Sequence, residues 1–93
     1  MKGKLKNGFK FEVNEDIVDN YEFLELYRKA QDDPMYYIDI MTLMLGEKQM
    51  EALKESVRGD DGIVHVTKGD YTITNAITEI MEVISNSGTA GKN

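Results

Sequence analysis

The sequence predicts an α+β fold: an N-terminal β-hairpin packed on a small bundle of about four helices. Three observations carry this reading. Residues 3–13 alternate apolar and charged side chains around Asn7-Gly8, the pattern of two short antiparallel strands joined by a tight turn. Residues 35–45 are apolar almost all the way round a helical wheel, which marks a helix buried among others. Ile73, Ala76, Ile77, Ile80, Met81 and Ile84 then form one helical stripe near the C-terminus, with Val83 beside it. With 93 residues, one proline and no internal repeat, the chain suits one domain over residues 1–84.

The hairpin, residues 3–13, has a register that its own side chains decide. A two-residue turn would set Phe9 and Phe11 opposite Lys6 and Lys4. A three-residue loop, Lys6-Asn7-Gly8, instead sets Leu5 against Phe9, Gly3 against Phe11 and Met1 near Val13. All apolar groups then share one face, and Gly8 takes the left-handed bulge position. A lone hairpin is unstable in water, so this face must lie on helices.

Residues 14–18 form a polar connector with Ile17 and Val18 as plugs. Asp19 is the expected cap of a first helix over about 20–31, with Glu22 at capping-box spacing. Tyr21, Leu24 and Tyr27 give that helix its stripe, widened by Phe23, Leu26 and Ala30. Arg28 and Lys29 in the last turn suit the helix dipole. Asp33 before Pro34 starts a second helix over 34–45, and Gly46 supplies the left-handed residue that ends it. A third helix, 47–57, keeps only Met50, Leu53 and Val57 apolar, a single dry stripe.

Residues 58–62 are turn-rich, and the β-branched run 63–66 is expected to be extended. The fourth helix covers about 68–84 and starts from either Thr67 or Asp70. Residues 85–93 are small and polar and are expected to form a flexible tail.

The net charge of −6 is unevenly placed. Lys2, Lys4, Lys6 and Lys10 against Glu12 give the first 13 residues +3, which leaves −9 on the remainder. An acidic body repels phosphate backbones, so no nucleic-acid partner is expected. Alternate lysines on a short hairpin keep a sheet edge soluble. The absence of cysteine excludes thiol chemistry and fits a cytoplasmic protein. No apolar run approaches the roughly 18 residues of a membrane span, so no membrane partner is expected either.

Converging catalytic groups are scarce. His65 is the single histidine and lies in an apolar run, with no nucleophile elbow elsewhere to match it. Asp60-Asp61-Gly62 lacks the alternate acids and closing glutamate of a calcium loop. Zinc fares no better with one histidine and no cysteine, and no Gly-Lys-Ser/Thr loop cradles a phosphate. The expectation is therefore no enzyme, no metal and no cofactor.

What remains is soft apolar surface. Methionine at 35, 41, 44, 50 and 81, with Tyr36 and Tyr37, is a high density of adaptable side chains for a small domain. Such residues either fill gaps in a core or line a face that takes amphipathic helices. Tyr37, Met41, Met44, Met50 and Met81 are the candidate partner-binding residues. A core this small also leaves room for self-association.

The run Leu43-Met44-Leu45-Gly46-Glu47-Lys48-Gln49-Met50-Glu51-Ala52-Leu53, then Asp60-Asp61-Gly62 and a closing helix, resembles the small tail assembly chaperones of long-tailed bacteriophages and prophages of Gram-positive bacteria. That family's pattern is roughly Leu-Gly-Glu-x-Gln-x-x-Ala-Leu after a leucine-rich helix, then an acidic Asp-Gly loop and an amphipathic helix. The lysine-rich hairpin and acidic first helix are similar too, so the likeness spans most of residues 3–84. Methionine stands here at several places where the family has leucine.

The resemblance implies a cytoplasmic assembly factor, not part of the mature virion, that coats the tape measure protein and recruits tail tube subunits. It implies no cofactor and no reaction. It also implies two product lengths from ribosomal frameshifting, for which Gly91-Lys92-Asn93 could be encoded by a slippery heptamer. Two other readings stand beside it: a small acidic adaptor or antitoxin-like interaction module, and an enzyme subunit whose site forms at an oligomer interface.

Overall fold

A computed structural model describes residues 1–90, excluding the side chains of Glu15 and of residues 87–90. Strands β1 (Lys2–Lys4) and β2 (Lys10–Glu12) pair antiparallel with Lys2 opposite Glu12, Gly3 opposite Phe11 and Lys4 opposite Lys10. The Leu5 N–H donates to the Phe9 carbonyl at 2.8 Å, the Gly8 N–H to the Leu5 carbonyl at 2.8 Å, and Gly8 has φ 94°. This is the register of the three-residue loop. It buries Leu5, Phe11 and Val13 on one face. Gly3 is needed opposite Phe11, because a Cβ there would lie 2.5 Å from the Phe11 ring.

A 3-10 turn (Glu15–Asp19) follows and buries Ile17. Asp19 is consumed in that turn, so the first helix, α1 (Tyr21–Asp32), is capped by Asn20 rather than by Asp19. The Asn20 Oδ1 accepts the Glu22 N–H at 2.8 Å and the Phe23 N–H at 3.2 Å. The stripe of α1 is also turned round from expectation. Phe23 and Ala30 enter the core, while Tyr21, Leu24 and Tyr27 face outward.

Three helices are present instead of four. The expected helices 34–45 and 47–57 are one element, α2 (Tyr36–Ser56), bent at Gly46. Gly46 has φ 80° and ψ 164°, a combination open almost only to glycine and not the left-handed helical conformation expected there. Helical geometry resumes at the next residue, so the break bends the helix without inserting a loop. A break of this kind frees carbonyls in the turn before it. Gln49 answers one of them, donating from Nε2 to the Leu45 carbonyl at 2.9 Å. The same amide exchanges two hydrogen bonds with Glu12, accepting its N–H and donating to its carbonyl, each at 2.8 Å. At the helix start, the Asp33 Oδ1 accepts the Met35 N–H at 3.1 Å, and Pro34 lies in the turn before Tyr36.

The run 63–66 forms no strand. Only an antiparallel bridge between Arg58 and Val64 is made, and the run does not join the two-stranded sheet. The last helix, α3 (Ile73–Ala90), begins later than 68 and continues beyond 84. Neither Thr67 nor Asp70 starts it. Thr72 and Asn75 do, with the Thr72 N–H bonded to Asn75 Oδ1 at 2.8 Å and the Asn75 N–H to Thr72 Oγ1 at 3.5 Å. The apolar stripe opens only at Ile73, so a helix over 68–72 would have had no face to bury. At the far end, Ile80 and Ile84 anchor the preceding turns, and the helix runs on past them through Asn86 and Gly88, residues that commonly stop one. The tail expected over 85–93 is thus helical to Ala90, while Gly91-Lys92-Asn93 lies outside the described residues.

The elements meet on α2, which is touched by α1, β2 and α3. Ile40, Met41, Leu53, Ile80 and Val13 are the largest fully buried side chains. The hairpin tip is tied down twice. Asn7 Nδ2 donates to the Ser56 carbonyl at 3.3 Å, and the Lys6 N–H to Glu79 Oε1 at 3.1 Å. The second oxygen of Glu79 accepts the Tyr71 hydroxyl.

Replacing Gly46 by valine should lower unfolding free energy by about 1–3 kcal/mol, since no L-residue adopts its backbone conformation without strain. Nothing crowds a Cβ at that position. A thermal melt that left the midpoint unchanged would show that α2 can straighten at no cost.

Candidate functional site: an apolar groove

The helix α2 is apolar on more sides than its neighbours cover. Ile40, Met41, Met44 and Leu45 are buried in the core and Tyr36, Tyr37 and Leu43 pack half-buried against it, whereas Met35 and Ile38 do not. Met35 and Ile38 are 68% and 50% exposed. Across from them lies the outward stripe of α1, where Leu24 is 52% exposed. Between these elements and α3 runs an open groove of about 1030 Å³.

Its walls come from four parts of the fold. Leu24 and Tyr27 are supplied by α1, Tyr37, Ile38 and Met50 by the two arms of α2, and Ile77 and Met81 by α3. Val64 and Val66 of the connecting loop close one side. The bend at Gly46 matters here, because residues on both sides of it line the same groove. Among the described residues, Lys54 and Glu82 are the only charged side chains in the lining. Phe23 and Tyr27 stack with ring centroids 6.1 Å apart, which stiffens the α1 wall.

Of the five candidate partner-binding residues, Tyr37, Met50 and Met81 meet in this groove, all half-buried. Met41 and Met44 do not. They are 0% and 6% exposed and belong to the core, the gap-filling role that methionine serves equally well. Leu24, Tyr27, Met35, Ile38 and Ile77 were not among the candidates, although the groove uses all five. For Leu24 a signal existed. Tyr21 and Leu24 lie on a different side of the helical wheel from Phe23 and Ala30, with Tyr27 at the border beside Phe23, so one of the two sides had to remain uncovered.

The loop beside the groove is held by polar contacts. His65 Nε2 lies 2.8 Å from Asp61 Oδ2, and Asp61 Oδ1 accepts the Ile63 N–H at 3.0 Å. Arg58 reaches Glu55 through Nη2 at 2.6 Å and donates to the Gly62 carbonyl through Nη1 at 2.7 Å. The hydrogen bond from His65 and then that from the Ile63 amide hold the Asp61 carboxyl below the usual carboxylate range. Burial and the Glu79 carboxylate push the Tyr71 phenol up from its ordinary value. Among the described residues no three His, Cys, Asp or Glu side chains gather to hold a metal, and no helix is long and apolar enough to cross a membrane.

No protein-family model, curated protein or solved structure matches this chain.

Two outcomes follow from the placements. Met44→Asp should unfold the domain, whereas Ile38→Asp should leave its circular dichroism and melting cooperativity intact; equal behaviour of the pair would erase the distinction between core and groove. For the loop, a carboxyl with a depressed folded pKa contributes stability above its ordinary value, and loses it as pH falls through the lower folded value. The Ile63 amide resonance should therefore hold its neutral-pH position past the ordinary aspartate value of about 3.9 and move only below it. The Asp61→Asn variant should show no such step.

Proposed function

We propose that this chain is a non-catalytic tail assembly chaperone that holds amphipathic helices of a tape measure protein and recruits tail tube subunits. The observation that carries the reading is the groove itself. A soluble monomer seldom leaves so much contiguous apolar surface open unless something docks on it. Methionine and aromatic side chains along the walls adjust to different apolar faces, as a client with many related helical segments requires. The surrounding charge suits the task, since −9 outside the hairpin keeps a complex with an aggregation-prone client soluble. The likeness of residues 43–53 to the Leu-Gly-Glu-x-Gln-x-x-Ala-Leu pattern supports the same assignment.

Structure and resemblance meet at Gly46 and Gln49. In the resembling pattern these are the glycine and the glutamine. Here the glycine bends α2 so that both arms line the groove, and the glutamine locks the bend to the hairpin. The motif is thus accounted for by architecture, with no catalytic role needed for it.

The test is co-expression with a long helical segment of a tape measure protein. The chaperone should raise the soluble fraction of that segment and be retained with it on affinity resin. Leu24→Asp and Ile38→Asp should each remain folded and lose both effects. Unchanged solubility and no retention with the wild-type chain would reject the assignment.

A further inference from the structure

The hairpin carries a second surface that shares no lining residue with the groove. Met1 and Val13 exchange both backbone hydrogen bonds at 2.8 Å, and the Leu5 N–H donates to Phe9 two pairs further along. Antiparallel alternation then points the N–H and C=O groups of Lys2 and Lys4 away from β2. The same alternation points those of Lys10 and Glu12 away from β1. The β2 edge is closed at Glu12, whose two groups are both taken by the Gln49 amide, acting as one residue of a missing strand. The β1 edge has no such cover at Lys2 and Lys4 among the described residues; cover begins only at Lys6, whose N–H is taken by Glu79, and the sheet ends at two strands.

Charge marks this open edge. Lys4 and Lys10 are direct cross-strand neighbours, in the kind of pair where side chains come closest. Like charges so placed are destabilising. Among the described residues none of Lys2, Lys4, Lys6 and Lys10 has an ion-pair partner within salt-bridge distance. The rest of the chain is strongly acidic, so the lysines are a local reversal of sign and not part of a general trend.

We propose that the β1 edge receives an extended acidic segment of a partner protein as a third strand. Such a strand would set alternate residues against Lys2 and Lys4 on the outer face. The residue between them would face the inner side opposite Gly3, where the Phe11 ring fills the space left by the missing side chain. The segment therefore has the pattern acid–apolar–acid, with main-chain bonds supplying affinity and the lysines selecting charge. A second copy of the chain is a poor occupant, because pairing two β1 edges stacks lysine on lysine. Nucleic acid is disfavoured by the acidic body behind the hairpin.

The probe is a synthetic peptide of alternating glutamate and valine, titrated into isotope-labelled full chain and followed by amide chemical shifts. Shifts should concentrate on residues 2–4, and the Lys2→Glu, Lys4→Glu double variant should bind more weakly by about tenfold or more. Methylating alternate peptide nitrogens should abolish binding. The Ile38→Asp groove variant should bind normally, which separates this surface from the proposed chaperone site. Absence of binding at millimolar peptide, shifts centred on α1 and α3, an equal response to the methylated peptide, or an equal response to a single-stranded oligonucleotide would each overturn the proposal.

Discussion

Burial of the first arm of α2 is the constraint on which the rest of the structure depends. Ile40 and Met41 are completely shielded from water, and Leu53 on the second arm is too. Each fully buried side chain of this size contributes about 1.5–3 kcal/mol relative to exposure. The hairpin, α1 and α3 have no other common surface to pack on. Yet a cylinder that is apolar on every side needs more cover than three short neighbours supply. The first arm is completed on the side of Ile40 and Met44, and left open on the side of Met35 and Ile38. The groove is the direct geometrical result of that shortfall.

Much of this was legible in residue order, and the failures have physical causes. The hairpin register could be worked out because one shift in pairing moves every apolar side chain to the wrong face. Gly46 was recognisable as a break, but a sequence cannot distinguish a glycine that ends a helix from one that bends it, since that depends on what the next turn packs against. Met41 and Met44 looked like Met50 and Met81 for a related reason. On a helix apolar all round, periodicity carries no direction, and only the neighbours decide which side is inside. The start of α3 was obscured by three hydroxyl or carboxyl residues, Thr67, Asp70 and Thr72, any of which can cap. Gln49 and Glu79 were missed because their roles are long-range: one closes a strand 37 residues away, and the other receives an amide 73 residues away.

Electrostatics divides the molecule into zones with different work to do. The loop of residues 58–66 is held by exposed polar pairs and little core, so its conformation follows local contacts such as those of Asp61 with His65 and Ile63. Among the described residues, charge in the groove lining is confined to Lys54 and Glu82. The hairpin keeps the opposite sign on its outer face. An apolar trough, an acidic shell and a basic ribbon thus occupy separate surfaces of one small domain.

The contact between Lys6 and Glu79 joins the first element of the chain to the last. During synthesis the hairpin leaves the ribosome before α2 and α3, with Leu5, Phe11 and Val13 not yet covered by them, and a free hairpin does not hold its shape in water. Its cover is assembled only after α2 has emerged, and its tip is fastened only once Glu79 is in place. The strands made before their supports therefore stay unsettled until α2 and then Glu79 have been translated.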